Sequence, residues 1–108
     1  MITYEDFSKL EIRIGHIISA EVVAGSDKLL QLMVEVGEAA PRQIISGIKK
    51  YFPDPQVLVG RSCPFLLNIE PREIYGLESQ GMILASDHDN IFALLEPSQM
   101  LPPGTIVH

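Results

Sequence analysis

The 108-residue sequence predicts an all-β domain, a five-stranded Greek-key barrel with short extensions at both ends. Three observations carry this. Apolar residues recur with strand-like patterning in five separate runs. Breaks rich in Gly, Pro, Asn and Asp separate those runs. Only one break, residues 49–59, is an irregular insertion; it holds Pro53 and Pro55 and has room for no more than a short helical turn.

In chain order, Leu10, Ile12 and Ile14 alternate with Glu11, Arg13 and Gly15, and the same parity continues through Ile18, Ala20 and Val22. This describes one long strand with a single buried face, bent near Gly15. Gly25-Ser26-Asp27 is a turn. Leu30, Leu32, Val34 and Val36 make a second strand, closed by Gly37-Glu38-Ala39-Ala40-Pro41. Residues 43–48 form a short β-branched third strand, 61–69 a fourth and 81–86 a fifth. Asp87-His88-Asp89-Asn90 turns the chain into a further apolar run, 91–95. Five strands with an insertion between the third and fourth suit the barrel known as the OB-fold, with a β-sandwich as the competing architecture.

The tail is surplus to such a barrel. Residues 91–95 and 101–107 are apolar, and an unpaired apolar strand in water is an aggregation hazard. Either it packs back on the barrel or it pairs with a second copy; two-fold assembly is the commonest kind, so a homodimer is expected.

Composition sets the class. At 46 % hydrophobic and 20 % charged, the chain reads as one soluble domain with a real core. No apolar run approaches the roughly 18 residues of a membrane span. The start, Met1-Ile2-Thr3-Tyr4-Glu5-Asp6, lacks the pattern of a signal peptide, and a cytoplasmic protein is expected. Cys63 is the single cysteine, so there is no internal disulfide; its apolar strand context reads as a small buried hydrophobe. Fourteen carboxylates against eight Lys and Arg give a net charge of −6. That is not the overall signature of a nucleic-acid binder, although a local group of cations acts within an acidic field.

The chemistry of catalysis is missing. His16, His88 and His108 fall in a strand, a turn and the last position, without ligand spacing. Asp87-His88-Asp89-Asn90 lacks the Gly and closing Glu of a calcium loop and reads as a solvated turn. Gly25-Ser26-Asp27-Lys28 is no phosphate loop, and Ser79 in Glu-Ser-Gln-Gly-Met does not match a nucleophile elbow. No enzyme, metal or cofactor is expected.

Binding is better supported. The polar stretch 68–82 runs between two apolar strands, where a mere turn needs two to five residues. It reads as a surface loop built for contact. Arg72 follows the stiff Pro71 and suits a phosphate. Tyr75 either offers its ring to a base or folds over the barrel end. Asn68 and Ser79 either meet a base edge or ribose, or cap the loop's own backbone. Lys28 and Lys49-Lys50 are further cations.

Four blocks taken together resemble a known family. They are Phe7 through Gly15, with its alternating strand ending in Arg13-Ile14-Gly15; Ser26-Asp27-Lys28-Leu29; Pro41-Arg42-Gln43-Ile44-Ile45-Ser46-Gly47-Ile48; and Asn68 through Leu84. The ending, Leu94-Leu95-Glu96-Pro97 and then Pro103-Gly104-Thr105, is similar too. The family is the tRNA-binding domain found at the C-terminus of many methionyl-tRNA synthetases, in free-standing dimeric tRNA-binding proteins and in endothelial monocyte-activating polypeptide. The resemblance implies an OB-fold that binds tRNA by shape at the outer corner of the L, with little sequence preference. It implies partners too: tRNA, a second copy and an aminoacyl-tRNA synthetase, whose effective tRNA concentration the domain raises. Lys28, Ser46, Asn68, Arg72, Ser79 and Met82 are the positions carried over, with Tyr75 added from its own chemistry. The chain departs from the family in placing Glu70 and Glu73 around the Pro-Arg pair, and Tyr75 where a cation is common. An acidic protein–protein adaptor and a chaperone-like dimer are the alternative functions on the same fold.

Overall fold

In the computed structural model, which describes all 108 residues, the chain opens with one turn of helix, α1 (Tyr4–Ser8). Thr3 starts it: its hydroxyl accepts from the Asp6 N–H, and the Asp6 carboxylate accepts from the Thr3 N–H, each at 3.1 Å. This capping box satisfies two otherwise orphaned donors. No helix of the structure is long and apolar enough to cross a membrane.

The strands are β1 (Ile12–Val22), β2 (Leu30–Glu35), β3 (Arg42–Ser46), β4 (Ser62–Leu66), β5 (Arg72–Ile74), β6 (Leu77–Ser79), β7 (Met82–Ile83), β8 (Ala85–His88) and β9 (Ile91–Leu94). Five of them form one antiparallel sheet in the order β3-β2-β1-β4-β7. Its ends are drawn together where the Gln80 N–H donates to the Gln43 carbonyl at 2.8 Å and the Ile45 N–H to the Ser79 hydroxyl at 3.0 Å. The result is the nearly closed five-stranded barrel that the pattern predicts. Ile17, Leu30, Leu32, Val34, Ile44, Leu58, Cys63 and Phe65 fill it.

The first strand corrects the simple parity reading. Ile17 is 1 % exposed and Ile18 46 % exposed, because the β1–β2 register slips between Ile17 and Ser19. This β-bulge inserts one residue and exchanges the faces beyond it. Before the bulge, Gly15 points inward. A Cβ there would lie 2.6 Å from Val34 Cγ1 and 2.7 Å from Phe65 Cδ1, so only glycine lets the strand pass so close. Ile12 and Ile14, on the opposite face, are buried but lie outside the central cluster. The C-terminal segment runs beside them: Ile14 and Thr105, Gly104 and Ile14, and Val107 and Ile12 exchange backbone hydrogen bonds of 2.7–2.9 Å. His16 is half-buried at this edge, with Nε2 3.1 Å from the Leu101 carbonyl.

The insertion holds two 3₁₀ turns, Lys49–Tyr51 and Pro55–Leu58, and Leu58 plugs the core from it. The fifth strand expected over 81–86 divides: β7 pairs with Phe65 and Leu66, whereas β8 leaves the sheet to pair with β9. Asp89 (φ 45°) and Asn90 (φ 66°) make the two-residue turn between them, both left-handed as the twist of such a hairpin requires. Phe92 stacks on Tyr51 at 4.7 Å and meets Phe52 edge-on at 5.7 Å, so one face of the surplus strand packs back on the barrel. Its other face does not; Ile91 and Leu95 are exposed.

Candidate nucleic-acid interface

The connection 68–82 is a hairpin rather than a plain loop. Strands β5 and β6 pair Arg72 with Ser79, Glu73 with Glu78 and Ile74 with Leu77 across a two-residue turn, Tyr75-Gly76. Both turn residues have positive φ, 54° and 76°. Asn-Gly is the usual sequence for that turn, which is why Tyr-Gly conceals it. The Tyr75 hydroxyl donates to the Gly25 carbonyl at 2.8 Å, tying the hairpin tip to the β1–β2 turn.

Strand alternation separates the hairpin's charges. Arg72 and Ile74 share one face; Glu73 lies on the other, opposite Glu78. Arg72 is exposed and forms no ion pair with Glu70, Glu73 or any other carboxylate. The eight cations divide evenly. Lys9, Arg13, Arg42 and Arg61 are paired with Asp6, Glu11, Glu38 and Glu96. Lys28, Lys49, Lys50 and Arg72 have no acidic partner.

Three of these, Lys28, Lys49 and Lys50, are brought together by the fold, while Arg72 lies on β5 beside a separate hollow. The Lys49 ammonium donates to the Ser26 carbonyl at 3.2 Å, and the Lys49 N–H to the Lys28 carbonyl at 3.2 Å. Lys28 and Lys50 flank a depression with Gly47, and Lys28 shares a second one with Tyr75. The Lys50 ammonium sits 4.9 Å from the Tyr51 ring centroid. Ser26 shapes the turn, its hydroxyl accepting from the N–H groups of Lys28 and Leu29 at 3.2 Å. Sequence separation hid this cluster; only the Tyr75–Gly25 bond and the β2–β3 pairing assemble it.

The other expected residues divide. Met82 is 43 % exposed and lines a small hollow with Arg72, Ile45 and Ile74. Ser46 is half-buried at the end of β3, opposite Leu30, one residue from Gly47. Asn68 lies at the hairpin's base with its amide engaged: Oδ1 accepts from the Glu11 N–H at 2.8 Å, and Nδ2 donates to the Lys9 carbonyl at 2.6 Å. Its amide thus holds the backbone of the segment before β1 rather than that of its own loop. Ser79 sits in the barrel seam beside the hollow that Arg72 and Met82 line. It is 5 % exposed, accepts from the Ile45 N–H and donates to the Gly81 carbonyl at 3.1 Å.

Arg42 is the supporting residue that sequence reasoning missed. Its Nη1 donates to the carbonyls of Leu67 (2.6 Å) and Gln80 (2.9 Å), which bracket the hairpin connection. Nε and Nη2 hold the Glu38 carboxylate, each at 2.8 Å. That bidentate contact raises the Arg42 pKa and lowers that of Glu38. The Pro-Arg pair at 41–42 was visible, but nothing local indicates carbonyls 25 and 38 residues away. No group of three or more His, Cys, Asp or Glu is arranged to hold a metal.

Residues 12–106 match the family described as "Putative tRNA binding domain". The chain is 45 % identical over 109 residues to the methionine–tRNA ligase of Methanococcoides burtonii, covering all of this chain and 16 % of that protein. It thus spans about one sixth of the curated relative's length. Among solved structures it is similar to a MetRS-related protein from Pyrococcus horikoshii, with a TM-score of 0.91 at 28 % identity, covering 100 % of this chain and 98 % of that one. The chaperone CsaA of Bacillus anthracis matches at a TM-score of 0.87 and 28 % identity, covering 100 % and 99 %.

Proposed function

The chain belongs to the tRNA-binding domain family, and on that premise we propose that it binds tRNA largely by shape, as a non-catalytic module serving an aminoacyl-tRNA synthetase of the methionyl type. One observation carries the contact assignment. Of the four cations without acidic partners, Lys28, Lys49 and Lys50 gather at the β1–β2 turn, and the Tyr75–Gly25 bond ties to that turn the hairpin that carries Arg72. Unpaired Lys and Arg are free to displace counterions from phosphates, which supplies most sequence-independent affinity. Lys28 and Arg72 meet phosphates, Tyr75 and Met82 pack against the nucleotides, and Ser46 borders the Lys28 turn. Asn68 and Ser79 hold the hairpin in place. The benefit to a synthetase is a higher local tRNA concentration.

The exposed side chains of Ile91, Leu95, Met100 and Ile106 support pairing of the C-terminal segment with a second copy as a homodimer. Sedimentation at micromolar concentration tests this, a monomer being the contrary result. A cytoplasmic location fits a tRNA partner. Likeness to the chaperone CsaA, with the paired carboxylates Glu73 and Glu78, favours protein binding as the second reading.

Fluorescence anisotropy with labelled bulk tRNA, across a series of salt concentrations, tests the main reading. Phosphate contacts from Lys28 and Arg72, with the neighbouring Lys49 and Lys50, give a log–log slope of about −3 to −4. Affinity independent of salt, or no binding at low salt, would overturn it.

A further inference from the structure

We infer that the cleft between the β1–β2 turn and the β5–β6 hairpin takes one unpaired nucleotide, its base stacked on Tyr75 and its phosphate against Lys28. This rests on the RNA-binding reading and deepens it by naming the feature of the nucleic acid that the site selects.

Tyr75 is built as a platform. The residue is 63 % exposed, yet its ring is fixed at the far end by the hydroxyl's bond to Gly25. A Cβ on Gly25 would stand 3.7 Å from Tyr75 Cε2, so the turn backbone lies close to the hydroxyl end of the ring. A fixed aromatic ring meets a base with little loss of side-chain freedom. The backbone is also telling. Tyr75 stands at φ 54°, where Asn or Gly is the low-strain choice, so the local conformation does not account for the aromatic side chain.

The cleft has the right contents. Gly25, Ser26, Asp27, Lys28 and Tyr75 line a volume of about 270 Å³, just under the range typical of small-molecule sites. Lys28, without an ion pair, offers a phosphate contact, and Asp27 an acceptor for an N–H on a base edge. A base within a duplex shows only its edges to a protein. Stacking on Tyr75 requires a base whose face is free, as in a bulge or a loop.

The test uses two blunt-ended, two-stranded RNA duplexes of equal charge density, one fully paired and one carrying a single-nucleotide bulge with 2-aminopurine at the bulged position. The unaltered protein is expected to bind the bulged RNA about tenfold more tightly and to quench the fluorophore. Tyr75→Asn keeps a residue that favours the turn, so the hairpin remains formed while the ring is lost. It should bind both RNAs with the affinity of the unaltered protein for the paired one. Tyr75→Phe loses the bond to Gly25 as Tyr75→Asn does but keeps the ring, so it should retain the quenching and part of the preference. Equal affinity of the unaltered protein for the two RNAs would overturn the inference while leaving RNA binding intact. An equal loss on both RNAs in Tyr75→Asn would do the same. Failure to bind either RNA or tRNA would sink both readings.

Discussion

The Ile45 backbone N–H donates to the hydroxyl of Ser79 at 3.0 Å inside the barrel seam. Ser79 thereby closes the barrel between β3 and the hairpin that carries Arg72 and Tyr75. Ser79→Ala leaves a buried N–H without a partner, which costs on the order of 1–3 kcal/mol. Urea denaturation should show that loss, while tRNA affinity of the protein that remains folded changes little. Full stability with weakened binding would assign Ser79 to the interface instead.

Paired and unpaired arginines should respond differently. Arg72→Ala removes a free cation, so it should weaken binding to all tRNAs alike and flatten the salt slope by about one unit. Stability should be unaffected, since the side chain is exposed and has no ion pair. Arg61→Ala removes the same charge, but its guanidinium is held by Glu96 at 2.8 and 2.6 Å. It should open residues 97–100, between that clasp and the part of the tail bonded to β1, to proteolysis and leave tRNA affinity nearly intact. Equal losses from the two variants would contradict the division of cations.

Glu73 and Glu78 stand directly across the hairpin from one another, and like charges so placed repel. Glu73→Gln should raise the thermal midpoint slightly and strengthen tRNA binding at low salt. The gain in affinity should fade as salt screens the remaining field. An unchanged low-salt affinity would show that this face of the hairpin lies away from the bound RNA.

Stability should fall at both extremes of pH. Arg61's hydrogen bonds hold the Glu96 pKa below its ordinary 4.5, so the clasp contributes above that value and is lost as pH falls below it. Hydrogen exchange should show residues 97–100, next to the clasp, loosening before the part of the tail bonded to β1 on acidification. Burial pushes the Cys63 thiol from 9.0 up to about 11. Between those values the unfolded chain gives up a proton that the folded chain keeps. The contribution is therefore complete below about pH 9 and disappears as pH passes 11. A thiol reagent at pH 8 should leave native Cys63 untouched and label it in urea.

Much of the architecture was legible because strand patterning is local. The runs around Leu32, Ile44 and Phe65 declare themselves by alternation, and Gly25-Ser26-Asp27 by turn chemistry. The failures have equally definite causes. A bulge at Ile18 adds one residue and reverses a face, and its position depends on where β2 pairs. The hairpin at Tyr75-Gly76 carries no Asn-Gly signal, and the bond that holds its tip reaches Gly25, fifty residues away.

The sequence by itself determined the all-β class, the barrel and the family, since patterning and short motifs lie within a few residues of one another. Tertiary structure alone decided which site residues face solvent. It set Ser79 inward and Arg72 outward, occupied the amide of Asn68 and brought Lys28, Lys50 and Tyr75 together. Burial and ion pairing join groups far apart in the chain, and such contacts exist only once the barrel has closed.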